Sequence, residues 1–175
     1  METTKNKLTS FEENFFNGLK YYIDKPIYFY GSIQRDDYLP QKSDIDIDIF
    51  SENEIGTVKL VSNYLNISPQ DFKKILYRIH GSNRVVPGFK TKYEDTHNKL
   101  TVEISIYNEK YEKDILDEHK SKFNLPYYIT FILMFLKTLH YDFNILPIYY
   151  YSLCKKYLTN QLYDNNKSEF IQLDL

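Results

Sequence analysis

A chain of 175 residues and 21.1 kDa, 42% apolar and 17% aromatic, has room for one domain with a core, or one domain plus a small helical appendage, and is too apolar to be disordered. Its net charge of −2 excludes the broad basic surface of many polynucleotide binders, so any such contact must come from a local patch. The single cysteine, Cys154, excludes an intramolecular disulfide, and no Cys/His cluster has zinc spacing.

The opening METTKNKLTS has no apolar signal core, and the apolar run over residues 129–139 is interrupted by Lys137 and too short to span a bilayer. The expected setting is intracellular, cytoplasmic and reducing, with no membrane partner; the oligomeric state stays open.

In chain order, Ser10 and Glu13 stand in capping-box spacing at the start of a helix over 10–23, with Phe11, Phe15, Leu19 and Tyr22 on one face. Asp24, Lys25 and Pro26 end it. Residues 27–30 read as a short buried strand, Gly31-Ser32 as its tight exit, and 43–50 (SDIDIDIF) as a second strand. Residues 53–66 and 68–79 both read as helices, the latter opened by Ser68 as cap and Pro69 at the first helical position. A hairpin follows: 84–93, the turn EDTHN, then 99–108 with strict alternation. Everything beyond Asn108 reads as helical, in segments 109–123, 126–141 and 147–161. The expected fold is α+β: a small mixed β-sheet flanked by helices over residues 1–108, and a C-terminal helical subdomain over 109–175.

Chemistry concentrates in SDIDIDIF. Side chains at i, i+2 and i+4 of a strand share a side, so Asp44, Asp46 and Asp48 line one face and Ile45, Ile47 and Ile49 the other, core-facing one. Aspartate is disfavoured in strands, and like charges at about 7 Å spacing repel over a low-dielectric floor. A divalent cation held by oxygen ligands would offset that repulsion. Charge that keeps an exposed sheet edge soluble is the competing reading. An EF-hand is excluded, because its glycine and glutamate places hold Ile49 and Ile55. Gly31-Ser32 favours the cation: a glycine at a strand exit lets backbone N–H groups approach a phosphate, and the serine adds a hydroxyl donor.

Gly31-Ser32 followed by Ser43-Asp44-Ile45-Asp46 resembles the "GS … SDID" signature of the DNA-polymerase-β-like nucleotidyltransferase superfamily. The resemblance implies Asp44 and Asp46 as catalytic metal ligands for Mg²⁺ (or Mn²⁺), with Asp48 outside the pattern as a structural or outer-shell partner. It also implies a third acid on a later strand. Glu103, between Val102 and Ile104, is that candidate, although alone a Glu in an alternating strand is more often a solvent-facing residue. The segment RVVPGFK … LTVEISIYN is similar to the corresponding stretch of noncanonical poly(A) polymerases and terminal uridylyltransferases, where the central acid is the third catalytic carboxylate and is Asp instead of Glu.

By the same resemblance, Lys137 would reach the triphosphate; a lysine snorkelling from a core helix is the alternative. Ser152 matches one serine of a nucleotide-clamping stretch whose glycines are absent here. Tyr149, Tyr150 and Tyr151 suit base stacking or plain helix packing. Lys155 and Lys156 read as a solvated face, and the four histidines form no constellation. The resemblance spans residues 10–158 and implies transfer of NMP from an NTP substrate to a hydroxyl, most directly an RNA 3′ end, with release of pyrophosphate. A protein, small-molecule or nucleotide acceptor, and a noncatalytic partner-binding domain, are the alternatives.

Overall fold

The computed structural model describes residues 1–79, 84–163 and 170–172, with side chains described up to residue 158. The chain runs α1 (Ser10–Ile23), β1 (Tyr28–Tyr30), β2 (Ile45–Phe50), α2 (Glu54–Leu65), β3 (Lys73–Ile79), β4 (Arg84–Asp95), β5 (Leu100–Tyr107), α3 (Glu112–Ser121), α4 (Tyr127–Tyr141), α5 (Ile148–Tyr163) and β6 (Phe170–Gln172). Six strands form one mixed sheet in the order β1-β2-β5-β4-β3-β6, with β2 and β5 parallel and the other pairs antiparallel. The expected α+β class holds.

The alternation in β2 sorts the layers. Ile45, Ile47 and Ile49 are at most 1% exposed and join Val102, Ile104 and Ile106 of β5 beneath α1 and α2, which contribute Phe16, Leu19, Ile23, Val58, Val61 and Leu65. Each fully buried isoleucine is worth about 1.5–3 kcal/mol, and a one-residue slip would drive three aspartates into this core, so the register is fixed. On the opposite face, α3 covers the far end of the strands, where Phe50, Tyr77, Val86 and Tyr107 pack with Ile115 and Leu116. The aspartate end of that face is left to polar chemistry.

Three expectations change. Residues 68–79 are not a helix: Ser68 and Asp71 form a true capping box, but it starts only a single 3₁₀ turn, Pro69–Asp71. Ile75, Tyr77 and Ile79 are then buried in alternation, the period of a strand. In α1 the box lies one residue earlier, between Thr9 and Glu12, and the buried stripe is Phe16, Leu19 and Ile23 while Phe11 and Tyr22 are exposed. Both stripes have helical spacing; the one that wins meets β1, with Phe16 edge-on to Phe29 at 4.9 Å. The C-terminal part is not wholly helical, because β6 returns to pair with β3.

Candidate functional site

The site begins at the end of β1. Gly31 has φ +70°, which a β-carbon resists, and opens a short 3₁₀ turn, Gly31–Gln34. A Cβ there would lie 2.0 Å from Asp46 Oδ2, so only glycine lets the turn and the carboxylate touch. The N-terminal residues brace this turn: Asn6 Nδ2 donates to the carbonyls of Ile33 and Arg35, and Gln34 Nε2 donates to Thr3 and Phe29. Ser32 is buried within the turn.

Parallel pairing of β2 with β5 sets Asp46 directly opposite Glu103, and Asp44 lies two residues before it on the same face. Asp44, Asp46 and Glu103 therefore share one patch beside Gly31. Protein surrounds Asp46 closely while it keeps a partial opening to solvent. Burial, then the charges of Glu103 and Asp44, push its carboxyl up to about 7 against the pull of Lys155 and Lys90. Burial and Glu103 likewise raise Asp44, opposed by Lys92 and Lys155.

Cations ring the acids. From β4, Lys90 Nζ is 2.6 Å from Glu103 Oε2 and Lys92 Nζ is 3.6 Å from Asp44 Oδ2. Spacing could have revealed them: Lys90 and Lys92 are two apart on the strand that faces Glu103, so they share its side. Lys155 of α5 acts on Asp44 and Asp46 and is more than a solvated face.

Asp48 has a partner that the sequence hid. Its side chain is fully buried, and its Oδ2 is 2.8 Å from His119 Nε2 of α3. His119 in turn stacks on Tyr30, the residue before Gly31, with ring centroids 4.0 Å apart. The histidines are therefore not all without a constellation, but this one joins positions 71 residues apart, which no local pattern shows. His80 lies outside the described residues.

Lys137 is 3% exposed and continues the inner stripe of α4 after Ile129 and Leu133. Its three ammonium protons have three oxygens to meet: Asp37 Oδ2 at 3.1 Å, the Asp37 carbonyl, and Ser43 Oγ at 3.0 Å. Burial holds Lys137 down to about 8 although Asp37 pulls the other way. Burial would raise Asp37, but Arg35 and Lys137 together hold it down to about 2. The structure places Lys137 on the loop that leads into Asp44. Ser152 is exposed on α5, Tyr149 and Tyr150 are exposed, and Tyr151 is buried against His140.

Three hard carboxylates on one face of the sheet, one of them against Gly31, suit Mg²⁺ or Mn²⁺ by donor chemistry. The side chains as they stand do not preform the cage: among the described residues no three acids or imidazoles converge as metal ligands, and Glu103 is engaged with Lys90. No helix among the described residues is long and apolar enough to cross a membrane. No curated protein matches the chain. The family model described as "Nucleotidyltransferase domain" matches residues 13–131, more than half of the chain.

Proposed function

The chain belongs to the nucleotidyltransferase domain family, and we propose that it moves a nucleoside monophosphate from an NTP to the 3′ hydroxyl of an RNA, releasing pyrophosphate. The observation that carries this reading is the register that sets Glu103 beside Asp46, two residues from Asp44 and against Gly31. Support for RNA as acceptor comes from the hairpin sequence RVVPGFK … LTVEISIYN, with its similarity to polymerases that extend RNA.

Asp44, Asp46 and Glu103 would hold Mg²⁺ or Mn²⁺, which when bound neutralises phosphate charge and acidifies the attacking hydroxyl. The residues of the chain do the rest. The Gly31–Ser32 turn receives the triphosphate with backbone N–H groups and the Ser32 hydroxyl. Lys155 and Ser152, three apart on α5, share a face from which to reach the same phosphates. The acceptor oxygen attacks the α-phosphorus in line with the bridging oxygen, whose bond breaks as pyrophosphate leaves with the electron pair. The hydroxyl proton passes to Glu103, freed from Lys90. Lys137 contributes by tying Ser43, and through it the neighbouring Asp44, to α4.

The test is pyrophosphate release with each NTP, Mg²⁺ or Mn²⁺, and labelled RNA. Wild type is expected to lengthen the RNA, and Asp44→Ala with Asp46→Ala to release no pyrophosphate. Equal release by both proteins would overturn the enzyme reading, and label found on the protein instead of on RNA would overturn the acceptor.

A further inference from the structure

The outer side of α4 breaks the rule for a surface helix. An amphipathic helix turns polar residues to water, and a helix that is apolar all round is normally buried. Ile129, Leu133 and Lys137 form the inner stripe of α4, yet the opposite arc is also apolar: Tyr127, Phe131, Met134, Phe135, Tyr128 and Ile132 are all exposed, Tyr127 at 93% and Phe131 at 72%. In α5, Tyr149, Tyr150, Leu153 and Tyr157 are exposed as well, and the two helices pack together. Residues 123–136 and 143–154 carry no charge of either sign.

We propose that this α4–α5 face is a homodimer interface, closed by the same face of a second copy of the chain. Two-thirds-exposed aromatic and aliphatic side chains in this number amount to roughly 1,000 Å², above the roughly 300–600 Å² of the largest patch on an ordinary monomer and matching the roughly 800 Å² per partner of a stable interface. The aromatic and methionine enrichment is that of an interface core, and homodimer interfaces are the more apolar kind. An isologous contact needs a surface complementary to itself, which an uncharged apolar face satisfies without any matching charge pattern. An RNA strand would require a row of cations across this face, whereas residues 123–136 and 143–154 carry none and, apart from the buried Lys137, the nearest lysines, Lys122, Lys155 and Lys156, stand only at their ends. Because the inner stripe ends in Lys137 at the Asp37–Ser43 loop, the outer arc points away from that loop, and docking leaves the carboxylates reachable.

Sedimentation velocity of the full chain under reducing conditions, at micromolar concentration, should give a particle of twice 21.1 kDa. Phe131→Glu should weaken the dimer roughly 100-fold, the effect of losing a central aromatic anchor. Tyr127→Lys, at a 93% exposed position where the fold has nothing to lose, should weaken it in the same direction with an unchanged circular dichroism spectrum. A wild-type monomer at these concentrations, or a dimer indifferent to both substitutions, overturns the proposal. So does patch-dependent binding of monomeric wild type to RNA or to phospholipid vesicles.

Discussion

Gly31→Ala tests whether Gly31 and Asp46 form one unit. Two costs are separable. The backbone at φ +70° costs an ordinary residue roughly 1–2 kcal/mol. The new methyl would also lie 2.0 Å from Asp46 Oδ2 and 3.0 Å from its Cγ, so the carboxylate must leave its rotamer, at a further cost of about 0.5–1.5 kcal/mol. The single substitution should therefore destabilise by about 2–3 kcal/mol. In an Asp46→Ala background the nearest remaining atom is the Asp46 Cβ at 3.3 Å, tight but tolerable, and only the backbone cost survives.

Urea unfolding of the four proteins of this cycle should show a coupling of about 1 kcal/mol, with equal m-values so that midpoints report stability. Mn²⁺ binding gives a second readout: Gly31→Ala should lose it while staying folded, because the displaced Asp46 carboxylate leaves the shared patch. Equal cost of Gly31→Ala in both backgrounds, to within about 0.3 kcal/mol, would refute the claim that the turn and the carboxylate are in contact.

Three further outcomes follow from buried charge. His119→Ala leaves Asp48 buried without its imidazole and should cost about 3 kcal/mol in urea unfolding, of which Asp48→Asn in the same chain should recover more than half. Lys137→Met strands the 1% exposed Asp37 carboxylate with Arg35 alone and should cost about 3 kcal/mol, partly restored by Asp37→Asn; an unchanged thermal midpoint would show the ion pair to be idle. Asp37 is held at about 2, below its ordinary 3.8, so its contribution of about 2 kcal/mol is present in full above about pH 4 and lost as pH falls through about 2. Stability measured from pH 4 downward should fall less steeply in Asp37→Asn than in wild type.

The alternation of Asp and Ile in β2 was legible because a strand has one period and a buried face admits one register. From that alone the sequence tells which side of the sheet is core and where three carboxylates stand. The strand β3 was not legible from its start: Ser68, Pro69 and Asp71 are genuine helix-opening signals, and only the alternation of Ile75, Tyr77 and Ile79 contradicts them. The α1 face was ambiguous because Phe15 and Phe16 supply apolar residues to two adjacent stripes, and β1 chose between them. Pairings such as Asp48 with His119, Lys137 with Asp37, and Lys90 with Glu103 need the topology, since each joins residues on different elements.

Those pairings also explain how the sheet tolerates its acidic face. Asp48, at the deep end, is hydrogen-bonded to the His119 imidazole of α3, while burial raises its carboxyl. Asp44, at the open end, has Lys92 at 3.6 Å, and Glu103 has Lys90 at 2.6 Å. Asp46 lies between them beside Gly31, and burial and Glu103 push it up to about 7 against the pull of Lys155 and Lys90. Burial and like charge thus raise both Asp44 and Asp46, and weigh most on Asp46, the carboxylate beside the Gly31 turn. Selection for stability alone would replace that residue; keeping a buried carboxylate beside two other acids is what the proposed cation site requires.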